Sequence, residues 1–357
     1  MNGGIVLPEK KIISIMRMRK FKEVALRENG IAFIPQSAIF YITYKCNLNC
    51  SYCFQRKQHK EMLDTYYELS LDEIKKIFSG ISFKSLFLTG GEIFLRKDIA
   101  DLIIFFSNKV EKLSLFTNGT LLKDDDIELI RSLNNVDVWF SLDGIDDIND
   151  FNRGKETFRK IWDNIKKLAG KDIYINCVIT EKNIDHLAEF YDFANENGIC
   201  KITFQFPMWY EECTDFSSKY GFDYYPGMQG DFDFNFILKL NTQIELIKTA
   251  ANNHTEYRFY PQLFCENIKE YIDGSIREKK QLTCGDIVNS KLKILPNGDV
   301  VICEAFRTKI GNMLSEQLEI IWNNEKAKKI RKTLLYSNLT EMCSRCCSLE
   351  CSYKGDF

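Results

Sequence analysis

Three closely spaced cysteines constrain this chain more than any other feature. Cys46, Cys50 and Cys53 are separated by three and by two residues, and they follow an apolar, β-branched and aromatic run at 37–44. That run predicts a buried strand, so the cysteines lie on the loop that leaves it. A four-iron cluster needs a thiolate on each iron for full ligation. Three thiolates would leave one iron open, and an open metal position is where chemistry can take place.

The spacing resembles the signature of the radical S-adenosylmethionine (SAM) superfamily, Cys-x3-Cys-x-aromatic-Cys, and Tyr52 is the aromatic residue here. The resemblance implies that Cys46, Cys50 and Cys53 hold a [4Fe–4S] cluster whose open iron binds SAM. It also implies that Tyr52 lies near the adenine of SAM. Zinc, or unrelated buried thiols, is the alternative interpretation of such a cysteine group.

Short apolar strands alternate with amphipathic helices after this point, a pattern that predicts parallel βα units. Strands are predicted at 37–44, 85–89, 112–117, 136–142, 172–180 and 200–206. Helices are predicted at 69–79, 98–109, 123–133, 155–169 and 184–197. Six such units fit the partial (β/α)6 TIM-like barrel of the resembled superfamily. The predicted fold class is therefore α/β, with the cysteine loop on the catalytic face of the barrel.

A Gly-Gly-Glu run, Gly90 to Glu92, follows the second predicted strand. Glycines let the backbone approach a ligand closely, and a carboxylate accepts hydrogen bonds from an ammonium group. By itself the run also fits an ordinary turn. The resemblance implies that Gly90, Gly91 and Glu92 bind the amino group of SAM. Ile93 stands where the superfamily usually has proline, and we expect function to be kept because proline mainly rigidifies the loop.

Short polar side chains follow the third and fourth predicted strands, where turns are again the alternative. The resemblance implies that Asn118 and Ser141 face SAM, with Ser141 near its ribose. Further on, Asn149 to Gly154 resembles the His-Asp-x-x-Arg-Gly run of the subgroup with additional clusters, although Asn149 replaces the histidine. Arg153 matches that run, and its guanidinium suits a carboxylate, so we predict that it also contacts SAM.

A second cysteine pattern occupies the C-terminal part. Cys284 and Cys303 flank a predicted hairpin with its turn at Gly298, which allows their thiolates to meet. They match the C-x(9–15)-G-x4-C signature of SPASM and twitch domains, which hold auxiliary iron–sulfur clusters. Cys343 and Cys346 supply a second pair, and four thiolates complete one [4Fe–4S] cluster. A structural zinc on the same four thiolates is the rival interpretation.

The chain departs from a full SPASM pattern, which has seven cysteines and two clusters. The usual gap before Cys347 has collapsed, and Cys351 is followed by no further cysteine. We therefore expect one auxiliary cluster, the twitch arrangement, rather than two. Cys347 and Cys351 are the alternatives to Cys346 as a ligand.

Four segments are predicted from these patterns: an N-terminal extension at 1–36, a radical SAM partial barrel with a lid loop at 37–232, a helical connector at 233–283, and a cysteine-rich SPASM/twitch domain at 284–357.

Composition limits the partners and the compartment. The chain has 48 basic and 50 acidic side chains, a net charge of −2, which argues against a dedicated nucleic-acid binder. It has no apolar run of about 18 residues and no apolar signal-peptide core, so we expect no membrane partner. Thirteen cysteines without an export signal indicate metal ligands and buried thiols in a reducing compartment, the cytoplasm.

The resemblance implies an enzyme that reductively cleaves SAM to a 5′-deoxyadenosyl radical, which abstracts a hydrogen atom from a substrate C–H bond. A flavodoxin- or ferredoxin-type protein is the expected reductant. Only 36 residues precede the first strand, too few for a leader-binding domain, which favours oxidation or epimerisation of a small molecule such as a sugar or aminocyclitol. A peptide-modifying maturase that crosslinks, epimerises or oxidises a ribosomal peptide is the alternative. A non-catalytic iron–sulfur electron carrier is a remote one, because it would not need the SAM loops.

Overall fold

A ten-stranded sheet dominates the computed structural model of this protein. The structure describes residues 28–53, 55, 66–207, 233–250, 254–261, 268–279, 281–288, 291–303, 308–336, 343, 345–346 and 348–352. Residues 1–27 of the predicted N-terminal extension, residues 208–232 of the predicted lid loop and Cys347 lie outside these ranges. The predicted α/β class is confirmed, and the strands form an open, partial barrel.

Seven parallel strands run along the sheet in chain order. They are β1 (Ser37–Thr43), β2 (Ser85–Gly90), β3 (Lys112–Thr117), β4 (Val136–Ser141), β5 (Ile173–Val178), β6 (Lys201–Gln205) and β7 (Glu256–Tyr260). The helices between them are α1 (Leu71–Ile77), α2 (Ile99–Ser107), α3 (Asp124–Ser132), α4 (Asp146–Arg153), α5 (Thr157–Lys167), α6 (Leu187–Glu196) and α7 (Phe234–Ala250). Short 3-10 turns lie at Ile93–Leu95 and Ile184–His186.

The alternation of side chains along each strand explains why the sheet forms. On β1, Ala38, Phe40 and Ile42 are fully buried on one face, where Phe40 packs 5.6 Å from the ring of Phe78 in the helical layer. Residues two apart point to the same face of a strand, so the intervening residues line the barrel interior. The barrel interior is therefore the face of the sheet opposite the helix-packed core.

Helix α1 begins at a capping box formed by Ser70 and Glu73. Ser70 Oγ accepts from Glu73 N, and the Glu73 carboxylate accepts from Ser70 N at 2.9 Å. This reciprocal arrangement satisfies two backbone donors that a helix start otherwise leaves open. The predicted position of the helix is confirmed to within two residues at each end.

Two elements of the barrel, β7 and α4, are absent from the predicted strands and helices. Strand β7 lies beyond the six predicted strands, and it pairs with β6 as a seventh parallel strand. Helix α4 was not predicted, since its sequence is rich in Asp and Asn, which are weak helix formers. It is held by tertiary contacts instead, including a hydrogen bond from Asp143 N to Asn149 Oδ1 at 3.1 Å.

The C-terminal part extends the same sheet. The predicted hairpin forms β9 (Leu292–Ile294) and β10 (Asp299–Val301), with Gly298 at φ +85° in the turn. Strand β9 pairs parallel with β1, and β11 (Lys309–Asn312) pairs with β10. The cysteine-rich part therefore packs directly against the first strand of the barrel.

The remaining C-terminal elements are short. They are α8 (Ile268–Ile272), α9 (Ile276–Lys279), β8 (Gln281–Cys284), α10 (Gly285–Val288), α11 (Leu318–Trp322), α12 (Glu325–Tyr336) and β12 (Leu349–Ser352). Strands β8 and β12 form a separate antiparallel pair. Asn324 separates α11 from α12, because its side chain accepts from Ala327 N at 2.9 Å and starts α12. Within the described ranges, no helix has both the length and the apolar character needed to cross a bilayer.

Candidate functional site

The cysteine loop follows β1 at the carboxyl edge of the sheet, as predicted. Cys53 N donates to Cys50 O at 3.2 Å, and Leu48 N donates to Cys46 Sγ at 3.4 Å, so the loop folds around its sulfur atoms. Although the Cys46 residue is partly exposed, burial of its thiol raises the pKa to about 11, and the nearby Glu92, Cys50 and Cys53 add to the effect. The three thiols therefore lie close enough together to influence one another.

The Gly-Gly-Glu run lies against this cysteine loop. Gly91 N donates to Thr43 O at 2.9 Å, and Glu92 N donates to Lys45 O at 2.8 Å. A side chain on Gly91 would overlap the Lys45 carbonyl group, and Gly90 has a φ of +154°. Glycine is required because two backbones meet here without room for a Cβ atom.

The Glu92 carboxylate is fully buried and already accepts three hydrogen bonds. Its donors are Thr117 Oγ1 at 2.7 Å, Asn118 N at 2.7 Å and Phe94 N at 3.1 Å. Burial raises its pKa to about 7, although these hydrogen bonds oppose that rise. A carboxylate offers about four acceptor positions, so one position remains for a further donor. The side chain thus ties β2 to β3 in addition to any role with a ligand.

Asn118 connects the loop after β3 with the cysteine loop. Its Nδ2 donates to Asn47 Oδ1 at 2.9 Å and lies 3.9 Å from Cys46 Sγ, while its Oδ1 accepts from Thr120 Oγ1 at 2.7 Å. The predicted SAM-facing residue is therefore next to a predicted cluster ligand.

A buried carboxylate, Asp143, joins two of the predicted SAM-site residues. Tyr52 Oη donates to its Oδ2, and Arg153 Nη2 donates to its Oδ1 at 2.9 Å. The Arg153 guanidinium also lies 5.5 Å from the centre of the Tyr52 ring. In the described part of the chain, Arg153 Nε is buried without a hydrogen-bond partner, which leaves a donor for a bound anion.

Asp143 was missed by the sequence analysis, which selected Ser141 from the same Ser-Leu-Asp-Gly run. The available signal was an acidic residue directly after an apolar predicted strand, next to the selected Ser141. Ser141 itself lies at the end of β4, in register with Asn176 on β5 and partly exposed. Asn149, which replaces the family histidine, is buried and donates to Thr157 Oγ1 at 2.9 Å.

Three aromatic rings line the barrel interior below Ser141. Phe116 stacks on Trp139 at 5.1 Å between ring centres, and Trp139 stacks on Tyr174 at 4.9 Å. These residues lie opposite one another on β3, β4 and β5, and Trp139 shares the face of Ser141. They form an apolar floor that was not predicted, because neighbours across parallel strands are distant in sequence.

The C-terminal cysteines also converge. Cys284 ends β8, and burial raises the pKa of its thiol well above the ordinary range, with contributions from nearby Asp286, Cys346 and Cys303. Cys346 N donates to Cys343 O at 3.1 Å, which links Cys343 to the same group. All four sulfur-bearing residues pack against the main core.

Two further cysteines were considered as ligands. The backbone of Cys351 lies on β12 opposite Leu282, two residues along β8 from Cys284, while its side chain is outside the described set. Cys347 lies wholly outside it. The choice among Cys346, Cys347 and Cys351 stays a prediction.

The residues present fit iron–sulfur clusters by the chemistry of their donors. Both groups consist of thiols, the ligands that hold such clusters in proteins. The first group has three thiols beside polar side chains that face the same edge, as a cluster with one open iron requires. In the described part of the chain, the thiols of neither group meet at a single metal ion, whereas in a [4Fe–4S] cluster each thiolate binds a different iron.

Two family models match this chain. The model of the radical SAM superfamily matches residues 40–194, which contain the second half of β1, the strands β2 to β5 and the cysteine loop. The model of an iron–sulfur cluster-binding domain, SPASM, matches residues 284–347, which contain Cys284, Cys303, Cys343 and Cys346. Together they cover more than half of the chain.

Individual relatives extend this picture. The antilisterial bacteriocin subtilosin biosynthesis protein AlbA of Bacillus subtilis is 24% identical over 98% of this chain and 72% of AlbA. The sporulation killing factor maturation protein SkfB of the same organism is 31% identical, over 47% of this chain and 41% of SkfB. The crystal structure of Streptococcus suis SuiB bound to SAM has the same fold, with a TM-score of 0.62 and 19% identity over 93% of this chain and 75% of SuiB.

Proposed function

Since the chain belongs to the radical SAM superfamily and carries a C-terminal SPASM domain, we propose that it is a maturase that modifies a ribosomally made peptide. Radical SAM proteins of this kind are enzymes, and their cofactors are SAM, a [4Fe–4S] cluster that binds it, and auxiliary iron–sulfur clusters. The substrate and the bond that changes belong to the proposal. So does the number of auxiliary clusters, which we propose to be one.

The similarity to AlbA is the main observation that supports this proposal. It extends over 98% of the chain, so it includes the cysteine-rich part as well as the barrel. AlbA takes part in the biosynthesis of a bacteriocin, SkfB is a maturation protein, and SuiB has been crystallised with its precursor peptide SuiA. These relatives support the peptide alternative better than the sugar or aminocyclitol that the sequence analysis preferred.

The proposed SAM site uses side chains that the fold brings to one edge. Cys46, Cys50 and Cys53 would hold the cluster, which with SAM supplies a 5′-deoxyadenosyl radical after one-electron reduction. Glu92 has one acceptor position left for an ammonium group. Arg153 has a free Nε donor for a carboxylate.

The remaining SAM-site residues position these groups. Tyr52 is fixed by its hydrogen bond to Asp143, and Asn118 by its hydrogen bond to Asn47. Ser141 is the last residue of β4 and shares a face of that strand with Trp139, two residues before it. The apolar floor keeps water from the space in which a reactive radical would form.

The proposal is tested with anaerobically reconstituted enzyme, SAM, dithionite and a synthetic peptide for each short open reading frame found next to its gene. We expect 5′-deoxyadenosine to form and the mass of the peptide to change. With a perdeuterated peptide, deuterium should appear in 5′-deoxyadenosine, because the radical takes hydrogen directly from the substrate.

A panel of amino sugars and aminocyclitols serves as the comparison. Deuterium transfer from a member of that panel, with an unmodified peptide, would replace the peptide proposal by the small-molecule one. A Cys46→Ala variant controls for SAM breakdown that does not involve the cluster.

A further inference from the structure

A group of buried charges lies beside the C-terminal cysteines. Lys293 Nζ on β9 donates to Asp286 Oδ2 at 2.7 Å, and Lys291 Nζ lies 3.1 Å from Asp286 Oδ1. The side chains of Lys293 and Asp286 are only 3% and 9% exposed. Buried ion pairs contribute little net stability compared with apolar residues of similar volume. The presence of Lys293 inside a strand, between the buried residues Leu292 and Ile294, therefore calls for another explanation.

Ser348 connects these charges to the cysteines. Its hydroxyl donates to Asp286 Oδ2 at 3.0 Å, and its backbone N–H donates to Cys346 Sγ at 3.4 Å. Its carbonyl accepts from Gly285 N, the residue after Cys284, at 2.9 Å. One residue thus links the charged group to two of the thiols.

Asp286 carries its negative charge close to Cys284. Burial alone would raise the pKa of the carboxyl, but Lys293 and Lys291 outweigh burial and hold it below its ordinary value. In turn, Asp286 raises the pKa of Cys284, in addition to the larger effect of burial on that thiol. The Asp286 carboxylate is therefore joined through Ser348 to Cys346 and lies two residues after Cys284, and the Lys293 ammonium group is held against that carboxylate.

We propose that Asp286 and Lys293 set the reduction potential of the auxiliary iron–sulfur cluster, an inference that rests on the proposed ligands Cys284 and Cys346. One-electron reduction adds one negative charge to a cluster, so a neighbouring carboxylate opposes reduction and a neighbouring ammonium group favours it. Salt screens buried charges much less than exposed ones. The N–H donor of Ser348 acts on the same potential through its bond to sulfur.

The test is a redox titration of reconstituted protein with dithionite as the electron donor, followed by electron paramagnetic resonance. Asp286→Asn keeps the side-chain shape and removes the negative charge, so the midpoint potential of the auxiliary cluster should rise. Lys293→Met keeps the length and removes the positive charge, so the potential should fall. We expect each variant to change the reduction equilibrium at least tenfold, which is about 59 mV for a one-electron couple.

Asp137→Asn is the matched control. Asp137 is also buried, and it pairs with Lys112 at 2.7 Å, but it lies on β4 in the barrel. This variant should leave the auxiliary potential unchanged. The potential of the SAM-binding cluster, measured in the same samples, should stay constant in Asp286→Asn and Lys293→Met.

Opposite shifts of the midpoint potential in the two variants distinguish an effect of charge from an effect of disturbed packing. Unchanged potentials in both variants, shifts of the same sign, or loss of the cluster from both variants would overturn the inference. If the auxiliary cluster fails to assemble only in Asp286→Asn, the Lys293→Met variant alone tests the inference. A fall in its midpoint potential supports the inference, and a rise or no change overturns it. A wild-type protein without a second cluster signal would instead refute the ligand assignment on which the inference rests.

Discussion

Arg153 and Asp143 form an ion pair in the interior, with Nη2 at 2.9 Å from Oδ1 and side-chain exposures of 6% and 0%. Asp143 also accepts from Tyr52, the residue before the proposed ligand Cys53. One carboxylate therefore fixes a cation and an aromatic ring next to each other, with the guanidinium 5.5 Å from the centre of the Tyr52 ring. Both of its partners came from the superfamily signature, but the carboxylate itself did not.

Replacing Asp143 by Asn should weaken SAM binding without removing the cluster. The variant leaves the Arg153 charge uncompensated, and breaking a buried pair typically costs about 3–5 kcal/mol. We expect lower thermal stability and at least a tenfold loss of SAM affinity, or about 1.4 kcal/mol. Equilibrium dialysis with labelled SAM measures the affinity, and iron analysis measures the cluster. Asp137→Asn should lose stability but keep SAM affinity; equal affinities in all three proteins would contradict this role.

Glu92 should make the cluster-free protein less stable as pH rises. Its pKa is raised from 4.5 to about 7 in the folded state, so the folded chain binds more protons than the unfolded chain between these values. Stability consequently falls as pH rises through that window, by about 3 kcal/mol in total. Thermal unfolding of the wild type and Glu92→Gln at pH 5 and pH 8 measures the effect.

Glutamine is the suitable comparison because it resembles the protonated acid and does not ionise. The stability of Glu92→Gln relative to the wild type should therefore increase from pH 5 to pH 8. Titrating groups that both proteins share cancel in this difference. Parallel stability curves for the two proteins would show that Glu92 stays ionised throughout this range.

Gly91→Ala should disturb the first cluster site selectively. The added methyl group would overlap the carbonyl group of Lys45, which precedes Cys46, so the cysteine loop must move. We expect loss of iron from this site and loss of SAM cleavage, measured by iron analysis and 5′-deoxyadenosine formation. Gly80→Ala is the matched control, since a methyl group there meets no atom within 4 Å. Full activity in both variants would mean that the two loops are not coupled.

Iron content distinguishes one auxiliary cluster from two. Three thiols in the first site and four in the second predict two [4Fe–4S] clusters, or about eight irons per chain. The Cys46/Cys50/Cys53→Ala variant should retain about half of that iron, because its auxiliary ligands are intact. About twelve irons in the wild type would instead require a second auxiliary cluster, and zinc in the variant would support the structural-zinc alternative.

The sequence by itself determined the parts of this protein that depend on local order. The six βα units follow from the period of apolar residues, because that period decides which face of each element is buried. The turn at Gly298 and the capping box at Ser70 follow from short-range backbone chemistry. The two cysteine groups were recognisable because their spacing is itself the signature of the ligands.

Only the tertiary structure decided which distant residues meet. Asp143 lies 91 positions from Tyr52, and Asp286 lies 62 positions from Ser348, so no local pattern connects either pair. Strand β9 adds to the edge of β1 across most of the chain, which brings Lys293 into a buried position that its own charge argues against. Burial and the low dielectric of the interior give these side chains their electrostatic effect, and both exist only once the strands have assembled.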